Sequence, residues 1–286
     1  MTRAFAWSLR RELWEHRAIL YAPLAVAALV VVAMVFNARG LREKAAAFAA
    51  LAPDAQVAAV ALPFGLAAST ILLTGFVVAV FYCVDALYAE RRDRSILFWK
   101  SLPVSDRTTV LAKFATATVV QPAIACAIAG AVLVLILLGG AAALAAGGVA
   151  PGPLWARLPL RSLLVALVYG VAAHALWYAP IFAWLLLVSG WAKRAPLLWA
   201  VLPWIVAVAL ERIAFGTRYV SALIGHRLSG ALDAAFVPDA RKQIVTSLAD
   251  LDPVGFAATP GLWLGLVFAA ACLVAAIRLR RVREPL

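Results

Sequence analysis

The chain has 286 residues, 65% of them hydrophobic and 14% charged, with a mean hydropathy of +0.95. A soluble domain carries nearer ~25% charged residues, so the composition excludes one. The net charge of +12 raises nucleic acid as a partner, but the basic residues flank apolar runs; they read as topology signals and contacts to membrane lipids, with no nucleic acid expected.

The first residues, TRAFAWSLRRELWEHR, are charged, and no small-residue cleavage site follows a short apolar core, so no cleavable signal peptide is expected. At about 100° per residue, Phe5, Ala6, Leu9 and Leu13 share one arc of a helix, while Ser8, Arg11, Glu12 and Glu15 face away. Trp7 and Trp14 form a stripe of their own, and Trp favours the headgroup zone. Residues 1–17 therefore read as an interfacial elbow helix, with Trp7, Arg10, Arg11 and Trp14 at the membrane surface. A plain cytoplasmic helical extension is the alternative.

A membrane span needs roughly 20 mostly apolar residues. The candidates are Ile19–Phe36, Ala61–Val84, Phe114–Leu138, Leu163–Ser189, Pro196–Leu210 and Leu262–Ile277, the last two being short. After the first, Leu41–Val60 has high helix propensity interrupted at Pro53. After the second comes Asp85–Lys113, the longest strongly charged interval. Within it Ser95–Leu102 predicts a short amphipathic helix: Ile96, Trp99 and Leu102 share a face, Leu97 and Phe98 broaden the apolar surface, and Pro103 ends it. Arg91, Arg92, Arg94 and Lys100 flank this helix, and Ser105 and Asp106 offer N-cap oxygens to the next one. Such a helix either lies on the membrane or seats in a groove of a cytosolic protein. Asp85 is a candidate partner for Arg91 or Arg92, although interfacial solvation accounts for it and for Glu211 at another span end.

Gly139–Pro159 is rich in Gly, Ala and Pro and reads as a loop. His174 lies near the middle of the fourth span, where an ionisable group is a functional candidate; a neutral imidazole hydrogen-bonded to another helix is the plainer reading. Trp177, Tyr178 and Trp184 on the same span are candidates, with His174, to line a substrate path, or else they pack against lipid or helices. In residues 211–260, apolar positions recur at helical spacing from Val220 to Phe236, and Arg227 and Asp233 argue for an amphipathic surface helix over a span. Pro122, Pro180 and Pro203 predict kinks, and Gly261 with Gly265 forms a GxxxG, a weak signal for a dimer face. Cys83, Cys126 and Cys272 read as small apolar fillers.

With six spans both termini share a side, and 16 of the 26 Lys and Arg residues fall on it. Both termini are therefore expected in the cytoplasm. No GxxxxGK[ST], HExxH or GxSxG occurs, and His16, His174 and His226 are dispersed. No catalytic residue or metal site is expected, and the chain reads as a non-enzyme. The expected fold class is an all-α integral membrane protein: a single transmembrane domain over 1–286, with the elbow at 1–17, a cytoplasmic loop at 85–113 and an extracytoplasmic helical segment at 211–260.

Glu90 with its following basic residues, Ser95-Ile96-Leu97, Leu102-Pro103-Val104-Ser105 and Lys113 resemble the cytoplasmic loop of type-2 ABC exporter permeases. RRELWEHR and Arg194–Pro203 also resemble bacterial members of that family, and the likeness in layout covers most of the chain. The resemblance implies that Glu90–Pro103 holds a coupling helix docking on a separate cytosolic ATPase, with two ATPases and two permeases, identical or homologous, per transporter. ATP and Mg would be bound by that partner, so this chain needs no cofactor of its own. A bacterial inner-membrane location is implied as well. Two other readings stay open: a scaffold that recruits a cytosolic protein without transport, and a lipid-modifying membrane enzyme using His174 or His226 as a base.

Overall fold

Helix α1 (Thr2–Glu15) precedes α2 (Ala18–Asn37), which is apolar on every side, as a helix between lipid and protein must be. The computed structural model describes residues 2–37, 43, 47–48, 50–101, 103–237, 245 and 247–282. Among these the chain is helical, with no strand beyond an isolated bridge between Phe236 and Leu251. Parts of three expected features, the Leu41–Val60 segment, Leu102 of the amphipathic loop helix and the helical segment at 211–260, lie outside the described residues.

Among the described residues, six helical stretches are long and apolar enough to cross a membrane: Ala18–Phe36, Pro53–Arg92, Asp106–Ala146, Leu160–Trp191, Pro196–Phe215 and Pro260–Val282. Each contains one of the expected spans and outruns it. The second begins at Pro53, in the first turn of α3 (Pro53–Ala86), because proline lacks only an N–H that a helix start leaves unpaired anyway. Helix α3 ends at a break before α4 (Tyr88–Arg92), where the Ser189 hydroxyl accepts the Leu87 and Tyr88 amides, each at 2.9 Å. After α5 (Ile96–Ser101), Ser105 caps α6 (Asp106–Ala115) as its sequence predicts, accepting the Thr108 amide.

A π-helical turn, Thr116–Val120, joins α6 to α7 (Gln121–Ala146). It lies just ahead of Pro122, whose missing N–H loosens the backbone ladder there. The expected loop at Gly139–Pro159 is helical to Ala146, since its alanines and Leu144 continue the ladder despite two glycines. A short α8 (Gly152–Trp155) follows. Then come α9 (Leu160–Trp191), α10 (Pro196–Phe215), α11 (Tyr219–Ala235), a 3-10 turn at Leu248–Asp250, α12 (Pro253–Ala258) and α13 (Pro260–Val282).

Helix α9 is the central post. Near the termini it packs with α3, α6 and α13 around Phe182, Leu186, Cys83 and Ala276; towards the opposite end α2, α3 and α7 join around Ile71, Ala125 and Val132. Helix α10 is the contrast, for Ala200 is its one buried residue. Glu211 near its end caps α11 rather than merely facing water: its carboxylate accepts the Tyr219 and Val220 amides at 2.6 and 2.8 Å.

Candidate functional site

At the end of the bundle holding both terminal helices, charges from distant parts of the chain converge in a buried cluster. Lys113 is fixed by α6 facing inwards, 1% exposed, and a buried ammonium must find counter-charges. Its Nζ donates to both oxygens of Glu12 at 3.0 Å and lies 3.1 Å from Glu90 Oε1. The Tyr82 hydroxyl donates to Glu12 Oε2 at 2.8 Å, and Arg11 reaches Glu12 Oε1 at 2.6 Å and Glu90 Oε1 at 3.3 Å. Arg280, near the end of α13, donates to Glu90 Oε2 and lies 3.0 Å from Asp106 Oδ1. Three carboxylates thus meet three cations, and α1, α3–α4, α6 and α13 are tied at one point.

This corrects the expected face of α1. Ser8 and Glu12 point into the protein, because the attraction of Lys113 outweighs the local amphipathic pattern. Burial alone would raise the Glu12 carboxyl; Lys113, Arg11 and the Tyr82 hydroxyl reverse that and hold it at about 2. His16 stacks edge-on against Tyr82 at 4.8 Å, and burial with nearby Lys113 pushes its imidazole down towards the neutral form. Glu12, Glu15 and His16 bring ligand atoms within 4.8 Å of one another, but Lys113 and Arg11 already hold Glu12 and oppose an added cation.

Helix α5 sits over this cluster. Ile96 is buried, and the Trp99 ring lies under the Arg11 guanidinium at 4.1 Å. Leu97 and Phe98 are each 59% exposed, so the tip presents two large apolar side chains. Arg94, in the left-handed region at φ 57, turns the chain from α4 into α5, and the Ser95 hydroxyl donates to the Glu90 carbonyl at 3.5 Å. Arg92 is exposed and pairs chiefly with Asp93 at 2.9 Å, with Asp85 at 3.9 Å. Arg91 is buried instead, donating to the Ser189 and Ala192 carbonyls at 2.9 and 2.6 Å and so closing the end of α9. Lys100 and Pro103 are exposed.

On α1, Trp7 and Trp14 remain exposed, with Arg10 over the Trp7 ring at 5.2 Å. The elbow and loop residues therefore meet through Arg11, Trp99 and Glu90. Sequence reasoning missed Glu12, Tyr82, Asp106 and Arg280 as members of this cluster. A buried-facing Lys at a span start was the available signal.

The four candidate path residues do not converge. His174 and Tyr178 line a cavity of about 800 Å³ between α3, α7, α9 and α11. His174 packs edge-on against Phe76 at 5.7 Å and tilted on Tyr178 at 4.6 Å; among the described residues these ring contacts replace the expected hydrogen bond. Trp177 faces away, fully buried, donating to the Arg227 carbonyl at 2.9 Å beneath the Arg227 guanidinium. Trp184 donates to the Ala200 carbonyl at 3.0 Å and packs on Trp204 and Phe268. Comparisons with protein-family models, with curated proteins and with solved structures give no match.

Proposed function

We propose that this chain is the membrane-spanning permease subunit of an ATP-driven exporter of the type-2 ABC kind, with α5 as its coupling helix. The observation that carries the reading is α5 itself: an exposed apolar tip, Leu97 and Phe98, anchored at its base by Ile96 and by Arg11 over Trp99. A two-residue apolar tip on a segment whose Arg92, Arg94 and Lys100 are exposed suits a groove on a soluble partner. A push on it would pass through Arg11 into Glu12 and Glu90, and from them to the ends of three spans.

In this reading the ATP and Mg chemistry belongs to two copies of a cytosolic ATPase. The face with both termini is cytoplasmic, in a bacterial inner membrane, and α1 lies on that surface through Trp7 and Trp14. A second permease, identical or homologous, would cover α10, whose near-complete exposure leaves room for one. The apolar spans favour a lipid-like or amphipathic cargo.

The test is co-purification and co-reconstitution with cytosolic ATP-binding subunits from the same cell, followed by ATP turnover of the complex. Leu97→Ala combined with Trp99→Ala should lower the coupled turnover; unchanged binding and turnover in that variant would sink the coupling role. Binding without any cargo-stimulated hydrolysis would favour the recruiting scaffold.

A further inference from the structure

We propose that the cavity between α3, α7, α9 and α11 binds one hydrocarbon chain of a membrane lipid, inserted from the end opposite the termini and stopping at His174. The cavity follows α3 from Ala58 to Phe76, about 27 Å at 1.5 Å per residue, long enough to take a single hydrocarbon chain end to end. No Asp, Glu, Lys or Arg is among the described residues lining it, so no charged headgroup is held inside. Its walls are side chains such as Leu66, Leu73, Leu133 and Leu167 on spanning helices, at a depth where lipid chains are the surrounding medium. Helix α11 closes one side with Leu228 and Leu232, both largely uncovered by protein.

Volume decides between a chain and a partner helix. A helix about 10 Å across and 27 Å long displaces roughly 2000 Å³. The enclosed part of the cavity, about 800 Å³, would hold less than half of such a helix, whereas a single hydrocarbon chain fits within it. The floor also sets where the chain stops. His174 borders a second void of about 10 Å³ beside Gln121, whose Oε1 is buried with no hydrogen-bond partner among the described residues. Phe76 and His174, ring to ring at 5.7 Å, close that end of the cavity, so a methyl end stops against them. Only the identification of the bound chain as cargo rests on the exporter reading; the binding itself does not.

The purified full chain in nanodiscs is irradiated with phosphatidylethanolamine carrying a photoreactive group either at the chain terminus or on the headgroup. The chain-terminal probe should label the segments around Phe76 and His174 several-fold more than the lipid-facing side of α2 around Leu29. Ala68→Phe, which fills the cavity, should remove that excess; Ser69→Phe, at a more exposed lining position, serves if the first variant does not fold. Equal labelling at Leu29, undiminished labelling in a folded filled variant, or headgroup labelling at His174 would each overturn the proposal. No ATPase is present in this assay, so a negative result removes the cavity's role and leaves the exporter reading to its own test. In a second assay with the ATPase and ATP added, excess labelling that turnover leaves unchanged identifies a resident lipid, and excess that turnover clears identifies cargo.

Discussion

Lys113 and Glu12 meet at 3.0 Å across 101 residues of sequence, and neither side chain is more than 1% exposed. Breaking a buried pair from one side strands the other charge, at a cost of about 3–5 kcal/mol. Lys113→Met should therefore lower the thermal stability of the detergent-solubilised protein strongly, and Glu12→Gln nearly as much. The double variant should recover a substantial part of the loss, because no uncompensated charge remains between those two positions. Additive losses in that cycle would show that the two residues act independently.

The same carboxyl sets an acid limit. Its folded pKa of about 2 lies below the ordinary 4.5, so the native state holds it ionised where the unfolded chain would begin to bind a proton. Its contribution is fully present above pH 4.5 and is lost as pH falls towards 2. Thermal unfolding followed from pH 6 to 2.5 should show this decline, and Glu12→Gln should flatten it. An unchanged slope in that variant would assign acid sensitivity to other groups.

The spans were legible because hydropathy is a local property, and so was the α5 pattern, where Pro103 and the Ser105 cap bound a short apolar run. Span ends were less legible. Pro53 starts a helix as readily as it interrupts one, and Gly139 and Gly140 lie inside α7, where Met34 and Trp155 pack against them. The inner face of α1 could not be read from α1 alone: its apolar arc and its charged arc are both plausible faces until Lys113 is placed beside Glu12. Arg280 posed the same problem, since a basic cluster at the end of a last span ordinarily reports topology. Helix α11 was visible from its spacing, but the pinning of Arg227 between α9 and α13 was not.

Arg11 joins the coupling-helix candidate to the buried cluster, touching Trp99 with its guanidinium face and Glu12 and Glu90 with its edge. Arg11→Met should cost about 1–3 kcal/mol, combining a partly exposed cation–π contact with charge-assisted hydrogen bonds. The larger effect should fall on coupling. In a reconstituted complex the ATPase should still bind through Leu97 and Phe98, while its turnover no longer responds to cargo. Loss of ATPase binding itself would instead place Arg11 in the docking surface.

Gly261 and Gly265 separate two accounts of the GxxxG on α13. A dimer face needs both glycines bare, so both substitutions should weaken self-association. The structure uses them unequally. A Cβ on Gly265 would overlap the Arg227 guanidinium and come within 2.9 Å of Pro180 Cγ; one on Gly261 meets only Thr259 Cγ2 at 3.9 Å. Arg227 donates to the Trp177 carbonyl at 3.1 Å and to the Gly261 carbonyl at 2.6 Å, so it fastens α11 to both α9 and α13. Gly265→Ala should therefore displace that guanidinium and cost about 1–3 kcal/mol, while Gly261→Ala stays within about 0.5 kcal/mol of the parent. Thermal unfolding measures the asymmetry, and size-exclusion chromatography with light scattering shows whether self-association changes. Equal effects of both variants on association, with stability intact, would return the motif to a dimer interface.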